Sequence, residues 1–365
     1  MAEATKKKTA SRAKTSRKKS RKKSVFKKWL IIQGLAVAFI ALAAIGAIFL
    51  SPYLTTKSDK EATLFIRKGT SIEAIKDSLT KSTSEQFANK VISFLDLTHA
   101  DVSQRQGAFK IEKGESAFSV AKHLRSGAAN EVKVTINNLR TKEDLAARLS
   151  KNLMHSKEEF LEALNDEELC KSLDMNTDNI TALFLPDTYQ FLWDIEPAKL
   201  IKHMKKFSDQ FWNEERKAKA QKLGLSPNEI VALAAIVEGE TNKADEKGKV
   251  ARLYLNRLKQ NIKLEADPTV KFALKNFALR RITFEDCKVQ SPWNTYYVTG
   301  LPPGPICLPE KASIDAVLNA PEHNYIFMCA KEDFSGYHNF AETYSQHEAY
   351  AAKYHQALRE RGIRR

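Results

Sequence analysis

An uninterrupted apolar run lies near the N-terminus, where no charged residue occurs from Trp29 to Leu50. A helix of this length spans about 33 Å, which matches the hydrocarbon core of a bilayer. Lys27 and Lys28 precede the run directly, so the positive-inside rule predicts a cytoplasmic N-terminus. The alternative is a cleaved signal peptide, whose apolar region would be shorter, about 7–15 residues. The pattern therefore favours a transmembrane helix at residues 29–50, with the rest of the chain outside the cytoplasmic membrane.

After a polar linker at residues 51–62, the pattern changes to short strands, each followed by a turn and an amphipathic run. Two copies are predicted: strand 64–66 with helix 72–79, and strand 107–111 with helix 117–124. A glycine makes the turn and a serine caps the helix in each copy: Gly69 and Ser71, then Gly114 and Ser116. A weaker third copy has a strand at 132–136 and a helix start at Thr141 to Asp144.

This strand–Lys-Gly–Ser–helix order is typical of a small α/β module. It resembles the LysM fold, which binds polymers of N-acetylglucosamine. A plain spacer between the membrane and a larger domain is the alternative, because the sequence carries no sugar-contact signature.

Residues 151–225 have the charge-rich amphipathic pattern of a mainly helical region. The stretch from Leu183 to Phe191 differs, because Pro186-Asp187 starts a turn and aromatic residues follow it. We expect this stretch to line a cleft or to pack in the core.

A strong helix start follows at Ser226-Pro227-Asn228-Glu229. The serine serves as N-cap, the proline fits the first helical position, and the glutamate completes a capping box. The residues from Ile230 to Val237 are apolar on all sides, which predicts a buried central helix.

Two carboxylates, Glu238 and Glu240, end this helix. Residues two positions apart point about 200° apart, so the two glutamates cannot share one face. Glu240 follows the bulkier apolar stripe, and an apolar setting raises the pKa of a carboxyl group. A glycosidase needs a protonated carboxyl as its proton donor. The alternative is that both glutamates are solvated at a helix end, and fraying at Gly239 would favour that reading.

The charge distribution and the histidine and cysteine patterns bear on nucleic-acid binding, metal binding and disulfide formation. The net charge is +15, but most of it lies in residues 1–28, a low-complexity basic tail that we expect to be disordered. The remaining chain is nearly balanced, so no nucleic-acid partner is expected. The histidines form no HExxH or HxH pattern, and we predict no metal and no cofactor. The cysteines could form disulfides or stay as buried thiols: Cys170, Cys287, Cys307 and Cys329.

Several short stretches resemble the endolytic murein transglycosylases, the YceG-like family, most strongly over residues 181–345. In chain order they are LPDTY at 185–189, LAAIVEGET at 233–241, NRL at 256–258, ADPT at 266–269, NTY at 294–296, GLPPGPI at 300–306 and HNF at 338–340. The family often has a charged residue where Gly239 stands, and an aromatic-rich segment where this chain reads Ser291-Pro292-Trp293. These departures concern the shape of the cleft.

The resemblance implies that Glu240 is the catalytic acid, because Glu240-Thr241 is similar to the Glu-Ser pair of the wider lytic transglycosylases. Possible supporting or substrate-binding residues are Glu238, Asp267, Asn294, Tyr296 and His338. Asn294 and Tyr296 would orient the acid or hold an N-acetyl group, or else form a turn and core. Asp267 would contact the cleft or begin a turn, and His338 would line the cleft or be structural.

The implied activity is cleavage of the bond between N-acetylmuramic acid and N-acetylglucosamine within nascent peptidoglycan strands, leaving 1,6-anhydromuramic ends. A muramidase that uses water, and a non-catalytic glycan-binding scaffold, are the alternatives. The implied partners are glycan strands, the inner membrane and cell-wall synthases.

The predicted fold class is α+β, with a single transmembrane helix before the folded part. The predicted boundaries are 1–28 for the tail, 29–50 for the membrane helix, 51–62 for the linker, 63–134 for the LysM-like module and 135–365 for a mixed α/β catalytic domain.

Overall fold

The computed structural model describes residues 2–279 and 281–362, with side chains from residue 26 onward. Helix α1 extends over Ala2–Thr55, and its part Phe26–Thr55 is long and apolar enough to cross a membrane. The side chains of most of the basic tail lie outside the described residues, so its predicted disorder stays a prediction. The helix continues past the predicted end at Leu50, because Leu50 and Tyr53 pack against the core of the first folded unit.

The chain forms two compact units, the first ending at Asn130 and the second beginning at Glu131. Beyond α1, the first unit comprises β1 (Ala62–Ile66), α2 (Ile72–Ser82), α3 (Glu85–Leu97), β2 (Gly107–Ile111) and α4 (Ala117–Ser126). Strands β1 and β2 pair antiparallel, with Leu64 opposite Phe109. The predicted caps are confirmed, since Ser71 and Ser116 accept hydrogen bonds from the backbone at the starts of α2 and α4.

The second unit is mixed α/β, and its regular secondary structure is mainly helical. Its elements are β3 (Glu131–Ile136), α5 (Lys142–Asn152), α6 (Lys157–Leu164), α7 (Glu167–Lys171), β4 (Asp187–Leu192), α8 (Pro197–Phe211), α9 (Glu214–Lys222), α10 (Pro227–Glu240), α11 (Ala244–Lys259), α12 (Asp267–Ala273), α13 (Lys311–Leu318), β5 (Phe327–Ala330), β6 (His338–Ala341) and α14 (Tyr344–Glu360). Two short 3₁₀ turns lie at Ile180–Leu183 and Asp286–Lys288. Helix α10 packs against α11, α12 and α13.

Strand β4 was not predicted, although the mainly helical character of residues 151–225 is otherwise confirmed. The stretch after Pro186 is extended and pairs antiparallel with β3, with Val134 opposite Tyr189. Tyr189 and Phe191 are buried, as core packing predicts. Because of this pairing β3 lies in the second unit, whereas the predicted boundary after residue 134 falls inside the strand.

Candidate active site

Helix α10 carries both candidate carboxylates, and its start has the predicted geometry. The Ser226 Oγ accepts a hydrogen bond from the Glu229 backbone N–H at 3.3 Å, and the Glu229 carboxylate accepts one from the Ser226 N–H at 2.7 Å. Every residue from Ile230 to Val237 is buried. The helix does not fray at Gly239; it ends at Glu240, with extended backbone at the next residue. Both carboxylates are therefore held by regular helical backbone.

Glu238 faces a set of partners that neutralise it. Its carboxylate lies 2.8 Å from the Lys247 Nζ and also accepts a hydrogen bond from the Ser313 hydroxyl. The Asn138 amide donates to its other oxygen at 3.3 Å. Each carboxylate oxygen of Glu238 therefore has at least one hydrogen-bond or ion-pair partner. These contacts suit a structural ion pair rather than a proton donor.

Glu240 faces the opposite side, into a cavity of about 440 Å³. The Tyr254 hydroxyl of α11 donates a hydrogen bond to the Glu240 carboxylate at 2.7 Å. Burial raises the pKa of Glu240 to about 7, the negative charge of Asp267 adds to the rise, and the Tyr254 hydrogen bond and the charge of Lys271 oppose it. A carboxyl with this pKa exists in both protonation states near neutral pH, as an acid/base catalyst requires.

Asp267 and Tyr296 line the same cavity. The Tyr296 hydroxyl donates a hydrogen bond to the Asp267 carboxylate at 2.8 Å. Burial and the Asp267 charge both raise the pKa of Tyr296, so its hydroxyl stays protonated. The pair places a second carboxylate in the cavity with one oxygen fixed by the tyrosine.

Asn294, two residues before Tyr296, is fully buried. Its side-chain amide donates to the carbonyls of Cys287 and Val289, each at 2.8 Å, and its oxygen accepts the Tyr296 backbone N–H at 3.0 Å. These bonds occupy the whole side chain in shaping the loop that carries Tyr296. They match the turn-forming alternative rather than direct contact with the acid.

His338 lines the Glu240 cavity from strand β6. Its Nδ1 lies 2.9 Å from one oxygen of Glu246, and its backbone N–H donates to the other at 2.8 Å. Glu246 is only 5% exposed, so this carboxylate fixes the orientation of the imidazole. The Nε2 edge of His338 has no hydrogen-bond partner among the described residues.

Three residues of this region were not predicted as site residues: Tyr254, Glu246 and Arg257, although Arg257 lies in the NRL stretch that resembles the family. Arg257 also lines the cavity and pairs with the Glu265 carboxylate. The three follow one buried stripe of α11 together with Val250, at spacings of three or four residues. Polar residues recurring at helical spacing among buried apolar ones are the signal that could have found them.

Among residues 2–279 and 281–362, no group of three or more His, Cys, Asp or Glu side chains is arranged to hold a metal ion. All four cysteines lie within that part of the chain and are free thiols, and Cys170 and Cys307 are buried.

Comparisons with known proteins agree on one family. The chain is 26% identical over 310 residues to a Bacillus subtilis protein named endolytic murein transglycosylase, covering 79% of this chain and 83% of that one. It is 22% identical over 329 residues to a Streptococcus pneumoniae protein of the same name, covering 80% of this chain but only 59% of the relative.

A crystal structure of a YceG-like protein from Listeria monocytogenes is similar in fold, with a TM-score of 0.53 at 23% identity, over 80% of this chain and 99% of that one. The sequence model of the YceG-like family matches residues 64–353. This chain therefore belongs to the YceG-like family.

Proposed function

We propose that this protein cleaves peptidoglycan glycan strands internally as an endolytic lytic transglycosylase, with Glu240 as its acid/base catalyst. The main support is the environment of the Glu240 carboxyl, which lies in a cavity and has its pKa raised to about 7. The names of the curated relatives support the substrate and the reaction.

The reaction needs one carboxyl group in two successive states. Protonated Glu240 donates its proton to the oxygen that joins N-acetylmuramic acid to N-acetylglucosamine, while positive charge develops on the muramic ring. The muramic 6-hydroxyl attacks C1 of the same sugar, and the Glu240 carboxylate accepts the hydroxyl proton. A 1,6-anhydro end forms and no water is consumed. The attack is intramolecular, which supplies a large proximity advantage.

Neighbouring groups have positioning roles in this proposal. Tyr254 holds the Glu240 carboxyl by its hydrogen bond. Burial raises the pKa of Glu240, and the charge of Asp267 adds to that rise. His338, oriented by Glu246, offers its Nε2 edge to a sugar substituent in the cavity.

The alternative reaction is hydrolysis by a muramidase, which requires a second carboxylate to activate water. Glu238 is a poor candidate for that role, because it faces away from the cavity and is paired with Lys247. Asp267 shares the cavity with Glu240, so a hydrolase would use Asp267. The printed names of the relatives favour the transglycosylase.

The rest of the chain would hold this site at the membrane. We propose that residues 29–50 form a single-pass anchor with a cytoplasmic N-terminus, which places the catalytic domain outside the cytoplasmic membrane near synthases that elongate the strand. The order β1–α2–α3–β2, with its antiparallel strand pair, supports a LysM-like module that contacts glycan. The burial of Ile230 to Val237 supports α10 as the central helix of the catalytic domain.

Substitution of the two glutamates tests the proposal. Purified full-length protein in detergent would be incubated with peptidoglycan strands, and strand length would be followed by chromatography. We expect Glu240→Gln to lose at least a thousandfold in cleavage rate while strand binding persists, since general acid–base catalysis supplies about 10²–10⁴ in rate at each of two steps.

Glu238→Gln is the matched control, because it changes the same chemical group two residues away. We expect it to retain cleavage wherever the protein remains folded. Wild-type activity in Glu240→Gln would refute the assignment, and wild-type protein that cuts no strand would favour the non-catalytic scaffold.

A further inference from the structure

A second cavity, of about 510 Å³, lies on the Glu238 side of α10. The last turn of α10 and the first turn of α12 separate it from the Glu240 cavity. Glu240 and Asp267 face one side of this wall, while Glu238, Gly239 and Pro268 line the other.

The wall is thin because Gly239 has no side chain. A Cβ atom at this position would lie 2.7 Å from the Cβ of Pro268 and 2.8 Å from its Cγ. The backbone of α10 therefore touches the proline ring directly. The two cavities therefore lie on opposite sides of one thin wall.

Two cationic side chains line the second cavity without an ion-pair partner among the described residues: Arg140 and Lys271. The Arg140 guanidinium lies 4.9 Å from the ring centre of Phe277, which orients it without neutralising its charge. Lys271 is also close enough to Glu240 for its charge to act on that carboxyl.

The acidic groups of the cavity are already engaged. Glu238 is paired with Lys247, and the Asp144 carboxylate accepts the Thr141 backbone N–H in the capping box of α5. A backbone hydrogen bond does not neutralise Asp144, but Arg140 and Lys271 together outweigh its single negative charge, so the net charge left for a ligand is positive. Guanidinium and ammonium groups bind carboxylates through short charge-assisted hydrogen bonds.

We infer that this second cavity binds a carboxylate carried by muramic acid, with Arg140 and Lys271 as its cationic ligands. The inference rests on the proposed function, since it assumes a peptidoglycan strand in the Glu240 cavity. Muramic acid differs from N-acetylglucosamine by its lactyl group. That group ends in a free carboxylate on peptide-free strands and in a peptide with its own carboxylates on substituted strands. The cavity would select muramic acid, and so fix the register in which the strand meets Glu240.

The test measures binding to the Glu240→Gln full-length protein in detergent, so that no strand is cut during the measurement. Three glycans of equal length serve as probes: peptide-bearing peptidoglycan strands, amidase-treated strands with free lactyl carboxylates, and neutral oligomers of N-acetylglucosamine. Arg140→Gln and Lys271→Gln are added singly, and Lys275→Gln is the matched control for loss of a positive charge outside the cavity.

We expect Arg140→Gln and Lys271→Gln each to raise the dissociation constant of the anionic strands about tenfold, the typical effect of one lost hydrogen bond to a charged group. The dissociation constant of the neutral oligomers should not change in either variant. Lys275→Gln should not change the dissociation constant of any probe. An effect confined to peptide-bearing strands identifies the peptide carboxylates, and an effect confined to amidase-treated strands identifies the free lactyl carboxylate. An effect on both anionic strands shows that the cavity accepts either carboxylate.

The inference would be overturned if Arg140→Gln and Lys271→Gln bound every probe as tightly as the protein with Glu240→Gln alone. It would also be overturned if these variants lost as much affinity for the neutral oligomers as for the anionic strands. These results leave the proposed function intact. A Glu240→Gln protein that binds neither peptidoglycan strand would instead contradict the proposed function itself.

Discussion

Replacing Glu240 by glutamine should make the folded protein more stable, by an amount that depends on pH. The pKa of Glu240 is raised from 4.5 to about 7 by burial. At 1.36 kcal/mol per pH unit, ionising this carboxyl in the folded chain costs up to about 3 kcal/mol more than in the unfolded chain. Glutamine cannot ionise, and its side-chain oxygen can still accept the Tyr254 hydrogen bond.

The sign of the pH dependence follows from proton binding. Between pH 4.5 and 7 the folded wild type holds a proton on Glu240 that the unfolded chain has lost, so wild-type stability falls as the pH rises through this window. The gain from Glu240→Gln should be near zero below pH 4.5. Above pH 7 it should reach up to about 3 kcal/mol, which is about 6–12 °C in melting temperature for a unit of this size.

Urea unfolding of the full-length chain in detergent at pH 5 and pH 8 measures this difference. Tryptophan fluorescence reports on the second unit through Trp193, Trp212 and Trp293. Glu238→Gln is the control, and we expect the opposite sign. Removing that carboxylate leaves Lys247 unpaired and should destabilise the protein by about 1–3 kcal/mol, between the values for exposed and buried pairs. A Glu240→Gln gain that is equal at both pH values would refute the reasoning about Glu240.

Three further outcomes follow from the same geometry. The value of kcat/KM for strand cleavage should fall as the pH rises through about 7, because Glu240 must be protonated to act as the acid. A value that rises through this range would contradict that role. Tyr254→Phe should lower kcat about 10- to 100-fold, because the Tyr254 hydrogen bond orients Glu240. The same hydrogen bond lowers the pKa of Glu240, so its loss should move the fall in rate to higher pH. An unmoved pH profile would argue against the contact. Gly239→Ala should lower the free energy of unfolding in urea by about 1–3 kcal/mol and reduce cleavage, because the added Cβ would overlap Pro268. Gly248→Ala is the milder control, since the nearest contact of its Cβ would be 3.1 Å. Equal stability of both variants would contradict the close packing at Gly239.

Local signals in the sequence predicted the elements that depend on local chemistry. The serine caps at 71, 116 and 226 are each followed within a few residues by the helix they start, so no distant contact was needed to find them. The opposite directions of Glu238 and Glu240 also follow from helix geometry alone.

Strand β4 was missed for a different reason. Its alternating burial at Tyr189 and Phe191 is a period-two pattern, but the strand gains its hydrogen bonds from β3, which lies far away in sequence. A preceding Pro-Asp pair suggests a turn when the stretch is considered alone. Pairing between distant segments decides such cases, and a single sequence does not display it.

The partners of the two glutamates were missed for the same reason, because they depend on contacts between different helices. Lys247 and Tyr254 both lie on α11, and their assignment to Glu238 and Glu240 depends on how α11 packs against α10. The helix pattern of α11 shows which residues are buried but not which carboxylate each one meets. Fraying at Gly239 belonged to the alternative interpretation, because glycine is flexible, and the packing of Gly239 against Pro268 accounts for the intact helix.

The most direct test of the central claim is the chemical end that the enzyme leaves on the muramic acid. Peptidoglycan strands would be digested with wild-type protein in water enriched in ¹⁸O, and the fragments would be weighed by mass spectrometry. We predict 1,6-anhydromuramic ends without ¹⁸O, because the sugar's own 6-hydroxyl attacks while Glu240 transfers the proton. Reducing ends that carry ¹⁸O would show hydrolysis instead, and Asp267 would then be the candidate for activating the water.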